Sequence, residues 1–305
     1  MPHDPVLVSG ATGKQGGATV RALLAAGVPV RALVRDPHGE PARAVASAGA
    51  ALVAGDLEDP ASLVPAVRGA GAVFSVQMPP LRAGRFDFEA EFTQADNLVR
   101  AALAAGVPHF VQSTVTGAGQ QESWPGWAEG RWADQEPYFR AKTGIQDRVR
   151  EAGFARWTLL KPGTFMENFL LSTAYLLPRG LAGGLVTVLK PATRLALVAV
   201  DDIGRTAATA ILSPERFADV ELELAGDNLS LAEIAAVLSR VTGAALDAPD
   251  LTLDEALAAG MPPYAAGPHE RLNVVGQPAR PEFAQALGLR LLTFEDWARA
   301  QGPWA

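Results

Sequence analysis

The segment that most restricts what this chain can become is its start, where a short apolar run at residues 5–9 passes directly into Gly10-Ala11-Thr12-Gly13-Lys14-Gln15-Gly16-Gly17 and then into a helical pattern. Glycines at this spacing permit a tight strand-to-helix turn, close approach of backbone to a pyrophosphate, and close packing of helix on strand. The helix N-terminus behind them offers unpaired N–H groups and a partial positive charge to phosphate. The glycine pattern is weak by itself; its position between strand and helix makes it informative. The same alternation continues downstream. Apolar or β-branched runs at 29–34, 51–53, 72–76, 109–113 and 157–161 are separated by helical-period stretches that include 15–26, 60–68 and 86–105, which is the signature of parallel βαβ units. The fold class expected is α/β: a doubly wound parallel Rossmann sheet, with residues 1–160 as a dinucleotide-binding domain.

After Lys161 the alternation breaks down. "PGTFMENFLL" reads as a loop entering a helix, and residues 193–212 as a strand, an Asp-initiated turn and a helix. A strand at 220–224 precedes helices at 230–241, 253–259 and 294–300. Residues 195–225 are thus expected to return to the first domain, and residues 161–194 with 226–305 to form a smaller, mostly helical C-terminal substrate lobe. Asp201 and Asp202 open a helix and read as its cap before they read as catalytic. Residues 117–137 lack periodicity and hold Trp124, Trp127 and Trp132. A loop of that length and aromatic content is expected to act as a lid, its indoles either stacking on a flat substrate or packing the loop down.

Composition narrows the chemistry. A net charge of −7 with only four Lys argues against a surface built for nucleic acid. The absence of Cys removes thiol nucleophiles and thiolate metal sites, and His3, His38, His109 and His269 have no ligand-like spacing. No metal is expected. The apolar runs are strand-length and no secretory leader is evident, so a cytoplasmic protein with no membrane partner is expected.

The end of the second strand reads Leu33-Val34-Arg35-Asp36. An acid there would accept from a ribose 2′-OH, whereas Arg35 suits a 2′-phosphate, which makes NADP(H) the expected cofactor. Asp36 leaves NAD(H) as the weaker alternative. Asp56, after the third strand, could meet the adenine or cap the next helix.

The pieces "GATGKQGG", "ALVRDP", "AGDLEDPASL", "FSVQMP", "VPHFVQST", "PYFRAKTGIQDRVR", "TLLKPGTFMENFLL", "LALVAVDDIGRTAA" and "LTFEDWARAQ" run in order along nearly the whole chain. They resemble the NmrA-like proteins, a branch of the atypical short-chain dehydrogenases. That resemblance implies dinucleotide contacts at Gly10, Thr12, Gly13, Lys14, Gln15 and Gly16, at Arg35, at Asp56 and Leu57, at Gln77 and Met78, at Lys142, and at Phe165 and Asn168 in the stretch from 165 to 168. It also implies one of two roles: an NADPH-dependent reductase of a small conjugated carbonyl or quinone-like substrate, or a non-catalytic NADP(H) redox sensor acting through a protein partner. A homodimer is compatible with either.

Tyr138 and Lys142 bear on that choice. With three Tyr and four Lys in the chain, this spacing would arise by chance only about 0.04 times. Four apart on a helix, they share a face, so the Lys142 ammonium can tune the Tyr138 hydroxyl and bind the nicotinamide ribose while Tyr138 donates a proton to a carbonyl oxygen. Many NmrA-like members carry another residue at the Tyr position. Ser113, Thr114 and Thr116 all lie where a helper hydroxyl is usual. Phe165, Met166 and Phe169 either line the floor of the site or belong to the core.

Overall fold

The computed structural model describes residues 4–302 and Trp304, so His3 falls outside it. From the N-terminus the elements are β1 (Val6–Val8), α1 (Lys14–Ala25), β2 (Val30–Val34), α2 (Glu40–Ser47), β3 (Ala51–Ala54), α3 (Pro60–Val67) and β4 (Ala72–Ser75). A hairpin of β5 (Leu81–Arg82) and β6 (Arg85–Phe86) leads to α4 (Phe88–Ala104), β7 (His109–Ser113), α5 (Glu136–Arg150) and β8 (Arg156–Pro162). Then come β9 (Thr164–Phe165), β10 (Arg194–Val198), α6 (Val200–Leu212), α7 (Pro214–Phe217), β11 (Val220–Leu224) and β12 (Asp227–Ser230). The chain ends in α8 (Leu231–Thr242), α9 (Leu253–Ala258), α10 (Ala266–Val275), α11 (Pro281–Ala286) and α12 (Phe294–Ala300).

Seven strands form one sheet in the order β11-β8-β7-β4-β1-β2-β3. The pairings from β3 across to β8 are all parallel. From β1 the chain moves outward to β2 and β3, then returns to add β4, β7 and β8 on the other side, so the strand order reverses between β1 and β4. Such a reversal opens a crevice at the carboxyl ends of the strands, where open α/β sheets bind ligands. Strands buried on both faces must be apolar throughout, and Leu7, Val73, Phe110 and Leu159 pack with Leu63, Leu98 and Val149 from α3, α4 and α5 in one core.

Two compact units are defined by their internal contacts. One comprises residues up to Gly119 with Pro137–Lys161 and Val200–Leu222; the other comprises Gln120–Glu136, Pro162–Ala199 and the residues from Glu223 onward. Several sequence expectations are corrected. The strand at 194–198 does not return to the large sheet: β10 pairs antiparallel with β12 and parallel with β9 in a three-stranded sheet of the second unit. "PGTFMENFLL" forms β9, a 3-10 turn at Met166–Phe169 and the start of another at Leu171–Thr173, with no α-helix. The helix expected from 86 begins at Phe88, because Asp87 accepts from the Ala90 N–H as its N-cap and Phe86 is used in the hairpin. The turn of that hairpin places Ala83 and Gly84 at φ of 48° and 76°, the left-handed pair that two-residue hairpins require.

The second unit has its own core, in which Met166, Phe169, Leu195, Leu197, Leu238, Phe294 and Trp297 are buried together. Phe169 meets Phe294 edge-on at 5.1 Å. The 117–137 segment is packed down by its own indoles: Trp124 and Trp132 are buried, Trp132 Nε1 donates to the Pro125 carbonyl at 2.8 Å, and Arg271 lies over the Trp124 ring at 4.9 Å. Among the described residues, no helix is long and apolar enough to cross a membrane.

Candidate functional site

Register brings the candidate residues of the first unit to one edge. Val8 of β1 pairs with Ala32 of β2 and Phe74 of β4, Val34 pairs with Ala54 of β3, and Ser75 pairs with Gln112 of β7. Gly10, Arg35, Asp56, Gln77 and Ser113 therefore emerge from the carboxyl ends of five adjacent strands, a row about 19 Å long at the usual strand spacing.

The Gly10–Gly16 turn is shaped by contacts that leave no room for side chains at two of its glycines. Gly10 has φ +59° and backs onto Val76; a Cβ on Gly16 would fall 2.2 Å from the Gly10 carbonyl oxygen. Gly13 differs. It is the N-cap of α1 with extended backbone (φ −96°), its N–H bonds the Gly10 carbonyl at 2.8 Å, and a Cβ there would meet only that carbonyl, at 3.3 Å. No side chain caps α1 and no acid lies in its first turn, so its first N–H groups are presented to an incoming anion without competition.

Arg35 is exposed and, among the described residues, forms no ion pair. Asp36 is not its partner: its Oδ1 accepts from the His38 N–H at 2.8 Å. Asp56 likewise turns on itself, accepting from the Glu58 N–H at 2.9 Å, while Asp59 supplies the cap of α3. The Leu57 carbonyl accepts from Asn97 Nδ2 at 2.9 Å. Thr12, Lys14 and Met78 are exposed, Gln15 is half-buried, and Gln77 is drawn inward. Its Nε2 donates to Ser75 Oγ at 2.8 Å and its Oε1 accepts from Gln112 Nε2 at 3.0 Å.

The candidate helper hydroxyls are separated by their partners. Ser113 Oγ donates to Gln15 Oε1 at 2.6 Å, which ties the end of β7 to the start of α1. Thr114 Oγ1 accepts from Gln146 Nε2 at 3.0 Å. Thr116 is buried.

Tyr138 and Lys142 share a face of α5, but not as the sequence alone implies. Lys142 Nζ lies 5.5 Å from the Tyr138 ring centroid, and its close partner is Glu91 on α4, with Oε1 at 2.6 Å. Burial acts to lower the Lys142 pKa; the charge and hydrogen bond of Glu91 outweigh it, with a further contribution from Tyr138, and the ammonium stands above its ordinary 10.5. Tyr138 itself is half-buried and packs edge-on against Phe88 at 5.6 Å. Glu91 was not among the residues expected from sequence. The signal was there: it sits on the apolar stripe formed by Phe88, Phe92, Ala95, Leu98 and Val99, where a charge needs a partner.

In the second unit, Phe165 and Asn168 are half-buried, whereas Met166 and Phe169 are core residues. The same unit holds a network the sequence did not reveal. His269 is buried with Tyr175 Oη on Nε2 at 3.1 Å and Thr187 Oγ1 on Nδ1 at 2.9 Å, and burial lowers its pKa to about 4. Asp201 pairs with Arg21 at 2.7 Å and Asp202 is buried against Arg205, so both have structural partners. No group of three or more His, Asp or Glu among the described residues is placed to hold a metal ion.

With this geometry in place, comparison with known proteins identifies the lineage. The chain belongs to the NmrA-like family, whose profile matches residues 2–266. An NAD(P)H azoreductase of Xenophilus azovorans is 32% identical over 309 residues, covering 92% of this chain and 97% of that protein. Among solved structures, the NADPH-dependent quinone oxidoreductase QOR2 of Escherichia coli, complexed with NADPH, matches with a TM-score of 0.74 at 23% identity, over 97% of this chain and 99% of that one. NmrA, a negative transcriptional regulator in complex with NADP, matches with a TM-score of 0.74 at 19% identity, over 99% of this chain and 96% of that one. The two structural likenesses show the fold.

Proposed function

We propose that this protein is an NADP(H)-dependent reductase of a small conjugated carbonyl or quinone-like acceptor. The observation that carries the reading is the uncapped, acid-free start of α1 at the strand-order reversal, with the exposed Arg35 guanidinium emerging one strand away. These residues fit a dinucleotide: Gly13 leaves backbone open to pyrophosphate, the start of α1 has no side-chain cap and no acid in its first turn, and Arg35 suits a 2′-phosphate. The names of the azoreductase relative and the quinone oxidoreductase neighbour support reduction as the reaction class.

When bound, the dihydronicotinamide supplies hydride. Tyr138 Oη supplies the proton to an acceptor oxygen, and Lys142 Nζ remains charged beside it and donates to the ribose. Gln15, fixed by Ser113, holds the first turn of α1 in place. A second reading, a cofactor-binding regulator that acts through a protein partner, is favoured by one feature. Lys142 is committed to Glu91, and its 5.5 Å contact with Tyr138 is to the ring.

The cofactor assignment has a direct test. NADPH is expected to bind at least about tenfold tighter than NADH, because only its 2′-phosphate engages Arg35. Arg35→Ala should remove most of that preference, at a cost of roughly 1.5–3 kcal/mol for a lost charge-assisted bond. Equal calorimetric affinities for the two nucleotides in the unsubstituted protein would show the assignment to be wrong.

A further inference from the structure

Glu91 is fully buried on α4, with one carboxylate oxygen at 2.6 Å from Lys142 Nζ and the other, Oε2, without a hydrogen-bond partner among the described residues. The helices meet closely here. Gly144 on α5 lies against the Phe92 ring, so that a Cβ at 144 would stand 3.2 Å from Phe92 Cε2, and Arg148 clasps Asp96 about one turn further along α4, at 2.5 Å. A carboxylate at zero exposure is costly to bury, and replacing such a pair with apolar residues is often neutral or stabilising. A purely structural role therefore gives little reason for it. The charged and titratable groups that face Lys142 are Glu91 from α4 and Tyr138 from its own helix.

We propose that Glu91 is a positioning residue for this site: its carboxylate keeps the buried Lys142 ammonium charged and oriented, so that Lys142 meets the cofactor ribose as a cation from neutral into alkaline solution. The proposal rests on the reading of Lys142 as a cofactor residue. One proton of the ammonium is held by Glu91, which leaves two for other acceptors. Without the charge and hydrogen bond of Glu91, the burial that already acts on Lys142 is opposed by Tyr138 alone, and the amine loses its proton at lower pH.

The test is Glu91→Gln, which keeps shape and one acceptor while removing the charge. Its first readout needs no cofactor: competitive acetylation of the free protein, read by mass spectrometry at the chain's four lysines, Lys14, Lys142, Lys161 and Lys190. Lys142 in Glu91→Gln should become at least about tenfold more reactive than in the unsubstituted protein at roughly pH 8, with the other three unchanged. Its second readout is the Kd for NADPH. It should hold nearly level between roughly pH 7 and pH 9 in the unsubstituted protein, and weaken about tenfold or more over that range in Glu91→Gln.

Unchanged Lys142 reactivity, or Kd profiles that run parallel at every pH, overturns the proposal. If the unsubstituted protein fails to bind NADPH, the proposed function falls and the cofactor part of this inference falls with it, while the acetylation result still decides whether Glu91 holds Lys142 charged. Should Glu91→Gln not fold, Glu91→Asp, whose carboxylate falls about 1.5 Å short, should show the same changes at smaller amplitude. Behaviour identical to the unsubstituted protein would then overturn the proposal.

Discussion

Tyr138→Phe is expected to lower kcat for aldehyde reduction by roughly 10²- to 10⁴-fold while the Kd for NADPH stays within about twofold. The substitution keeps the ring and so keeps its edge-on packing against Phe88 at 5.6 Å and the 5.5 Å contact of Lys142 with the ring face. Only the proton donor is lost. Electron-poor quinones accept hydride with little help from an acid, so their turnover should fall much less, sustained by the proximity of the reactants. Lys142→Met should damage both turnover and cofactor affinity, and it also leaves the Glu91 carboxylate buried without its cation, so folding must be checked in parallel. In a regulator without turnover, Tyr138→Phe would be silent and Lys142→Met would weaken NADPH binding alone. Steady-state kinetics with one aldehyde and one quinone, beside calorimetric titration of NADPH, separates these patterns.

The second large effect is expected at the glycine turn. Gly13→Val should abolish measurable NADPH binding, a loss on the order of 10²-fold or more, while far-UV circular dichroism stays unchanged. The backbone allows this comparison: Gly13 is extended at φ −96°, and the added carbon meets only the Gly10 carbonyl, at 3.3 Å, so a shift of a few tenths of an ångström accommodates it. The branched side chain then occupies the face where the pyrophosphate must approach. Gly16→Val makes the contrast, because its Cβ would sit 2.2 Å from the same carbonyl and the turn itself must break. Undiminished affinity in Gly13→Val would place the phosphates elsewhere.

The first unit was legible in the sequence because its rules are local. The αβ junction "AAGVP" occurs twice, and both times glycine takes the left-handed position after the helix, Gly27 at φ 74° and Gly106 at φ 70°, before an apolar strand begins. Periods of two and 3.6 placed β7 to the residue and α1 and α3 within one. What the sequence did not reveal depends on pairing between distant segments. Residues 194–198 are as apolar as the strands of the large sheet, and nothing local tells which sheet they join; the partners Asp227–Ser230 decide it. Glu91 and Lys142 are 51 positions apart, so the ion pair shows itself only once α4 and α5 lie side by side. The three tryptophans of the 117–137 segment had two readings of equal standing, and the burial of Trp124 and Trp132 supports packing of the loop over stacking on a substrate. Phe165 and Phe169 are four apart on one apolar pattern, yet only Phe169 is core.

Consumption of NADPH by the unsubstituted protein tests the central claim most directly. Absorbance of the reduced nicotinamide is followed in single-turnover and steady-state modes with a panel of quinones, enones, azo compounds and aldehydes. The expected result is oxidation in step with acceptor reduction for at least one conjugated acceptor, at a kcat on the order of 1 s⁻¹ or faster, with NADPH preferred over NADH through Arg35. Tight NADPH binding with no oxidation by any acceptor in the panel would contradict it and leave the regulator as the reading that stands.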